Sequence, residues 1–212
     1  MTPFDRLEDV LLDDLFPELD LALRRGRHVG QEDGPAYSLL LDAAAQLEPF
    51  YARYGCELVH RSEGYFYLLP TGDRLGRTHL RALDMVVGQV LALLYLDPAA
   101  VQRGGVVHRT EVLGRLDMLV GAEGLARLVR PGQKKFVERV AEETARAKIG
   151  ESLRALDSLG FVELRDGDLV QLRPALFRFA DPVRGHQEVG DALERLVREG
   201  EVALEPEAEE EG

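Results

Sequence analysis

Residues 134–172 decide the fold, and they read KKFVERVAEETARAKIGESLRALDSLGFVELRDGDLVQL. Apolar residues recur at helical spacing through 137–159 without a proline, which predicts one long amphipathic helix. Gly160 then marks the end of the helix, because glycine tolerates the left-handed backbone found there. FVELR and DLVQLR alternate around Asp166-Gly167, which predicts a β-hairpin. A long helix, a glycine and a small hairpin are typical of a winged helix, a variant of helix-turn-helix.

The residues just before this stretch supply the remaining elements of a winged helix. A long apolar helix is predicted over about 78–96, and it ends at Asp97-Pro98. GVVHR, from Gly105, predicts a short strand, and Thr110 opens the helix EVLGRLDMLV. The second half of the chain is therefore helix, short strand, helix, helix and two-stranded wing.

The first half repeats this order in a reduced form. LFPELDLALRRGRHVG (15–30) predicts a short helix with Pro17 in its first turn and Gly26 at its end. A second helix is predicted over about 36–54, and CELVHRS and GYFYLLP predict two strands joined near Glu63-Gly64. The two halves share the order of elements but no residue-level repeat.

The predicted fold class is α+β, mainly helical, with tandem winged-helix domains that carry small β-hairpin wings. We place the N-terminal domain at 1–75 and the C-terminal domain at 76–185, because PTGDRLGR (70–77) has the composition of a linker. Residues 1–14 are expected to form a partly ordered arm, and LFRFADPVRG (176–185) reads as turn-rich. Residues 186–212 are predicted to be a short helix and a disordered acidic tail.

The distribution of charge limits what the chain can bind unaided. The 212 residues carry a formal net charge of −12, and seven glutamates after Arg198 leave −5 for the rest. A protein that holds DNA alone is usually basic, so contact with DNA must come from a local patch or a surface shared with a partner. The single cysteine, Cys56, and the lack of a signal peptide or apolar span favour the cytoplasm.

Motifs for catalysis are missing from the sequence. It contains no Walker loop, no G-x-G-x-x-G after a strand, no H-E-x-x-H, no C-x-x-C and no G-x-S-x-G. The five histidines lie far apart, without the spacing of metal ligands. We therefore expect no enzyme activity, no catalytic residue, no cofactor and no metal.

Basic residues in two regions are candidates for contact with the DNA backbone. The densest basic cluster ends the first predicted helix, and others lie on or before the long helix. A helix C-terminus also attracts cations without any ligand, which is the alternative interpretation of the first cluster. The long helix mixes these residues with many glutamates, so we expect non-specific contact rather than groove reading. The candidates are Arg24, Arg25, Arg27, His28, Lys134, Lys135, Lys148 and Arg154.

Aromatic and apolar residues are candidates for a dimer or partner interface. Aromatic residues gather around the first predicted wing, where their alternation should turn one side away from the local core. The helix over 78–96 has an apolar arc wider than one small wing can cover. Core packing is the alternative interpretation for both groups. The candidates are Tyr51, Tyr54, Tyr65, Tyr67, Val86, Val90 and Leu94.

Four strings of the sequence resemble one known family. LFPELDLALRRGRHVG, FYARYGCELVHRSEGYFYLLP, LDMVVGQVLALLYL and LFRFADPVRG are similar, in this order and spacing, to segments of the MukE family. That family supplies the accessory subunit of the bacterial MukBEF condensin. The resemblance implies a non-catalytic homodimer of tandem winged-helix subunits. It also implies binding to a MukF-like kleisin and, through the kleisin, to a MukB-like SMC ATPase.

The implied function is chromosome condensation and segregation, in the cytoplasm at the nucleoid, without a membrane. DNA is expected as a partner only non-specifically and within the complex. A first alternative is a subunit of a related plasmid-defence complex of the MksBEF or Wadjet type. A second is a stand-alone winged-helix transcription regulator, which the acidic body of the chain disfavours.

Overall fold

The computed structural model describes residues 4–72, 74–75, 80–129 and 138–184, and they form two compact units. The first unit takes residues 1–79 and, from much later in the chain, 157–161 and 173–175. The second unit takes 80–156, 162–172 and 176–212. The domain boundaries at 75 and 185 stay a prediction. No sequence pattern indicates that two short later segments belong to the first unit.

The first unit packs three helices on one small sheet. Its sheet is antiparallel, with the middle strand β3 between β1 and β2. The helix α3 covers one face, and its buried residues Leu40, Ala43 and Leu47 recur at helical spacing. Cys56 is buried in this core as a small apolar residue. The elements are α1 Leu7–Leu11, α2 Phe16–Arg24, β1 Val29–Gly30, α3 Pro35–Ala52, β2 Cys56–Arg61 and β3 Tyr65–Pro70.

The second unit is built around the apolar helix α4. Its sheet is also antiparallel, and the middle strand β6 lies between β4 and β5. The helix α6 kinks at Gly121, where the backbone leaves the helical region. The elements are α4 Ala82–Tyr95, α5 Pro98–Gln102, β4 Val106–His108, α6 Arg109–Val129, α7 Glu138–Ser158, β5 Val162–Arg165, β6 Leu169–Leu172 and α8 Phe177–Arg184.

Two helices, α6 and α8, cover α4. The ring of Phe179 lies so close to Gly88 that a Cβ there would collide with it. The ring of Phe177 packs edge-on against Tyr95, with ring centroids 5.3 Å apart. Leu176 ends a short 3₁₀ turn, Pro174–Leu176, and Phe177–Arg184 form α8, so the prediction of LFRFADPVRG as a turn-rich stretch was wrong. Packing of its aromatic residues on α4 stabilises a helix that local sequence does not indicate.

The long helix and the hairpin predicted over 134–172 are both present within the described residues. The long helix α7 ends at Ser158, and the hairpin of β5 and β6 pairs Arg165 with Leu169 across a three-residue connection. The α+β class, mainly helical with small antiparallel sheets, is confirmed. Assignment of the units as winged helices stays a prediction. Lys134, Lys135 and the predicted helix and tail over 186–212 lie outside the described residues.

Gly160 combines a left-handed backbone with a close contact. Its φ is +76°, and a Cβ at this position would collide with the main-chain carbonyl of His28. Gly167 offers a matched comparison, since its φ is +74° but no atom lies within 4 Å of a Cβ built there. Backbone strain is therefore common to both glycines, and of the two only Gly160 adds a steric collision.

We predict that Gly160→Ala lowers the free energy of unfolding by clearly more than Gly167→Ala. Strain in the left-handed region costs about 1 kcal/mol for alanine, and the collision should add about 1–3 kcal/mol at Gly160. Urea denaturation followed by circular dichroism measures both. Equal reductions for the two variants would contradict the close contact with His28.

Candidate interaction surfaces

Arg24 is held in place by its own helix and by aromatic rings. Its Nε donates to both carboxylate oxygens of Asp20, one turn earlier, at 2.8 Å. Its guanidinium lies over the ring of Tyr54, 4.3 Å from the centroid. Tyr51 donates its hydroxyl to the same Asp20 at 3.0 Å, and burial together with that carboxylate raises the pKa of Tyr51. Arg24 therefore serves the packing of α2 on α3.

Arg27 is also paired within the first unit. Its Nη2 lies 3.2 Å from Oδ1 of Asp33, and Arg173 donates to the same carboxylate at 3.2 Å. The other oxygen of Asp33 accepts the Gly30 N–H at 2.9 Å. One carboxylate therefore orders the turn after β1 and offsets one of the two positive charges of these arginines. Arg25, which precedes Arg27 by two positions, is exposed to solvent.

His28 does not lie on the surface with the neighbouring arginines. Its side chain is 3% exposed and packs among three aromatic rings, those of Tyr65, Tyr67 and Phe161. Its backbone N–H donates to the Leu159 carbonyl at 2.8 Å, and its Nδ1 lies 3.0 Å from the same oxygen. Because a carbonyl only accepts, Nδ1 carries the proton in this contact. His28 is a core residue, and its place among the candidates for DNA contact is corrected.

The tyrosines of β3 show that both faces of this sheet are covered. Phe66 and Leu68 face the core beneath α3, while Tyr65 and Tyr67 lie beside His28 on the other face. Tyr65 and Tyr67 do lie on the face opposite α3, but they are 0% and 8% exposed, so the expectation that this face is open to a partner is corrected. Phe161, which is far away in sequence, packs against His28 and so helps to cover this face of the sheet. The alternation of residues along a strand cannot indicate that a distant residue covers one of its faces.

The two tyrosines near the end of α3 differ in their exposure. Tyr51 is fully buried, so it is corrected from an interface candidate to a core residue. Tyr54 is 41% exposed and remains accessible to a partner.

The apolar residues proposed on α4 are covered within the second unit. Val86 and Val90 are fully buried, and Leu94 is 3% exposed. The helices α6 and α8 supply this cover, which the sequence pattern does not indicate. Core packing therefore explains this arc, and Val86, Val90 and Leu94 are corrected from interface candidates to core residues.

The basic residues of α7 differ in their surroundings. Lys148 is half-buried and lies 2.9 Å from Glu151 on the same helix face, and Arg81 approaches the same carboxylate at 3.6 Å. Arg154 is exposed. Among the described candidates for DNA contact, Arg25 and Arg154 are thus the two exposed residues, while the others are half-buried or buried.

A buried carboxylate joins α4 to α7, although no motif in the sequence marks it. Asp84 is 3% exposed, accepts the Ser152 hydroxyl at 2.6 Å and receives two hydrogen bonds from the Arg81 guanidinium, at 2.9 and 3.0 Å. Burial alone would raise the pKa of the Asp84 carboxyl, but the hydrogen bonds from Arg81 and Ser152 outweigh it and lower that pKa below 3.8. The ionised form of Asp84 is therefore the form that stabilises the fold.

The described residues contain neither a cluster suited to a metal ion nor a helix suited to a lipid bilayer. Within residues 4–72, 74–75, 80–129 and 138–184, no group of three or more His, Cys, Asp or Glu side chains is arranged to hold a metal ion. None of the helices in these ranges combines the length and hydropathy needed to cross a lipid bilayer.

Comparison with known proteins gives one consistent result. The sequence pattern of the MukE-like family matches residues 4–212. Chromosome partition protein MukE of Escherichia coli K12 is 36% identical over 199 residues, which cover 92% of this chain and 84% of that protein. The protein of the same name from Vibrio vulnificus is 36% identical over 202 residues, covering 94% of this chain and 87% of that protein. The match therefore extends over most of the length of each protein.

We predict that Asp84→Asn destabilises the protein by about 2 kcal/mol at pH 7, because a buried hydrogen-bonded charge is removed. Because the pKa of Asp84 is lowered in the folded protein, its carboxylate stabilises the fold at pH values above 3.8, the ordinary pKa of the group. This stabilisation decreases as the pH falls below 3.8. The difference in unfolding free energy between the wild type and Asp84→Asn should therefore become smaller from pH 7 to pH 3. Urea denaturation at both pH values measures it, with the exposed Asp166→Asn as control. A gap that does not change with pH would contradict the ionised pairing.

Proposed function

Because this chain belongs to the MukE-like family, we propose that it is the non-catalytic, kleisin-binding subunit of a bacterial SMC condensin complex. The observation that carries the proposal is the 36% identity to chromosome partition protein MukE over 92% of this chain. The matched residues extend over both compact units, so the proposal concerns both of them. Its partners are a MukF-like kleisin, a MukB-like SMC ATPase reached through the kleisin, and a second copy of this chain.

The proposed role is chromosome condensation and segregation in the cytoplasm, at the nucleoid. The relatives are named chromosome partition proteins, which favours this role over plasmid defence. The charge pattern supports a subunit that acts through partners rather than a stand-alone regulator. Arg24, Arg27 and Lys148 each form an ion pair with a carboxylate of the same chain, so much of the candidate basic charge is balanced locally.

Of the proposed interface tyrosines, Tyr54 offers the accessible surface. It is 41% exposed and lies just after α3, where the guanidinium of Arg24 fixes one face of its ring. A partly exposed aromatic side chain held in one orientation is the kind of residue that contributes most at protein interfaces. We therefore place one contact of the dimer or of the kleisin at Tyr54.

We predict that the protein alone elutes as a dimer and shifts to a larger, stable complex with the kleisin encoded beside its gene. Size-exclusion chromatography with light scattering measures both masses. Tyr54→Ala should weaken one of the two assemblies by about tenfold or more, because an anchor residue contributes at least ~1.4 kcal/mol. Val101→Ser, at a position that is 63% exposed on α5, serves as control.

A monomer that ignores the kleisin would overturn the proposed role. Tight footprinting of one DNA site by the protein alone would favour the regulator instead. An unchanged dimer and an unchanged kleisin complex in Tyr54→Ala would remove Tyr54 from the interface but leave the role intact.

For DNA, we propose non-specific backbone contact by Arg25 and Arg154 within the assembled complex. Removal of one phosphate contact should reduce the slope of log affinity against log salt by about 0.9. Arg25→Glu and Arg154→Glu should each lower this slope in titrations of the full complex with duplex DNA of random sequence. Arg53→Glu, at an exposed arginine outside the proposed contact, is the charge-matched control. Equal effects from all three variants would show that binding depends on the overall charge of the protein and not on contacts at Arg25 and Arg154.

A further inference from the structure

The corner between α1 and α2 exposes three leucines within five residues. Leu11 is 40% exposed, Leu12 is 82% exposed and Leu15 is 45% exposed. Single exposed leucines are ordinary on protein surfaces, but a group of three in one turn is a small apolar patch. We call these three residues the leucine corner.

The leucine corner is held in place by hydrogen bonds and by the core beneath it. Leu12 N–H donates to the Glu8 carbonyl at 3.1 Å, and Leu15 N–H donates to Oδ1 of Asp13 at 2.9 Å. Phe16 N–H donates to the Asp13 carbonyl at 3.1 Å, which closes the turn. Val10 and Phe16, on either side of the turn, are buried in the core of the first unit. The leucines are therefore presented by a folded turn, and a ligand would not have to order them.

The surface around the leucine corner is strongly acidic. Glu8, Asp14 and Glu18 are exposed, and each lies within one helical turn, counted along the sequence, of at least one of the leucines. Residues 5–20 contain seven acidic side chains and a single basic one, Arg6. An apolar centre with a rim of carboxylates attracts a ligand that is apolar on one side and basic on the other.

The same charges disfavour the other occupants. A second copy in a two-fold dimer would place this acidic surface against itself, since a two-fold interface uses the same patch on both subunits. The C-terminal residues of this chain carry seven glutamates after Arg198 and no basic residue, so they are repelled as well. Nucleic acid is a polyanion and is disfavoured for the same reason.

We propose that the leucine corner docks a basic amphipathic helix of a partner protein. Apolar side chains of that helix, spaced at i, i+3 or i+4 and i+7, contact Leu11, Leu12 and Leu15, and its lysines or arginines face Glu8, Asp14 and Glu18. This interaction surface uses residues other than Tyr54 and the arginines proposed for DNA. It does not depend on the condensin role.

A defined probe tests the proposal on the full chain. The probe is a fluorescein-labelled peptide of leucine and lysine, about five helical turns long, with leucines at i, i+3, i+4 and i+7. A scrambled peptide of identical composition, which has no apolar face, is the comparison. Fluorescence anisotropy should show tighter binding of the amphipathic peptide. The variant Leu12→Ser/Leu15→Ser should weaken it by about tenfold or more, because apolar area is removed from the interface.

Further variants separate the corner from the general acidity of the chain. Glu8→Gln/Glu18→Gln should weaken binding of the amphipathic peptide and lower its salt dependence, because the carboxylate rim is removed. Met118→Ser, at a residue that is 74% exposed in the second unit, should leave binding unchanged. A photo-crosslinker in the peptide should attach within residues 8–18, as mapped by mass spectrometry.

Three results would overturn the proposal. The first is equal binding of the amphipathic and scrambled peptides, which would show that only the charge of the peptide matters. The second is unchanged affinity in Leu12→Ser/Leu15→Ser with crosslinks elsewhere. The third is dissociation of a dimer in light scattering when Leu12 and Leu15 are replaced, which would make the corner an interface between copies of this chain. Circular dichroism tests whether each variant is folded. A change in binding by a folded variant can then not be attributed to unfolding.

Discussion

The first unit depends on the contact between His28 and residues 159–160. The Leu159 carbonyl accepts hydrogen bonds from both the backbone and the ring of His28, at 2.8 and 3.0 Å. This arrangement satisfies a buried imidazole that would otherwise be costly to remove from water. It also brings Phe161 onto the His28 ring, with ring centroids 4.3 Å apart, and so closes the face of the sheet that carries Tyr65 and Tyr67. A small sheet with a helix on one face thereby gains cover on the other.

Elements with a strong local signal could be predicted from the sequence, and elements that depend on distant residues could not. The long helix α7, the hairpin after it and the strands β2 and β3 carry their own periodicity and turn residues, so the α+β class followed. The helix α8 could not be foreseen, because its aromatic side chains gain their stability from α4. Burial of His28 was missed for the same reason, since Leu159, which satisfies its ring, follows 131 positions later.

Several arginines among the described residues are paired with carboxylates of the same unit. Asp20 binds Arg24, Asp33 binds Arg27 and Arg173, and Asp84 binds Arg81, so several basic residues that attract attention in the sequence stabilise local structure. The pairs of Arg24, Arg27 and Arg81 are local in sequence, but Arg173 and Asp33 lie 140 positions apart, so no local pattern indicates that pairing. The surfaces that we assign to other macromolecules are therefore defined by exposure in the folded chain, as at Tyr54 and the leucine corner, rather than by clusters of charge in the sequence.

The contact between Gly88 and Phe179 has a consequence for how this fold can change over time. The space that a side chain at position 88 would need is already filled by the ring at position 179. Position 88 therefore cannot take a larger residue first: a side chain there becomes acceptable only after the ring at 179 has been replaced by a smaller residue. In related chains these two sites should vary as a pair, so that the sizes of the two residues are anticorrelated although 90 residues separate them in sequence.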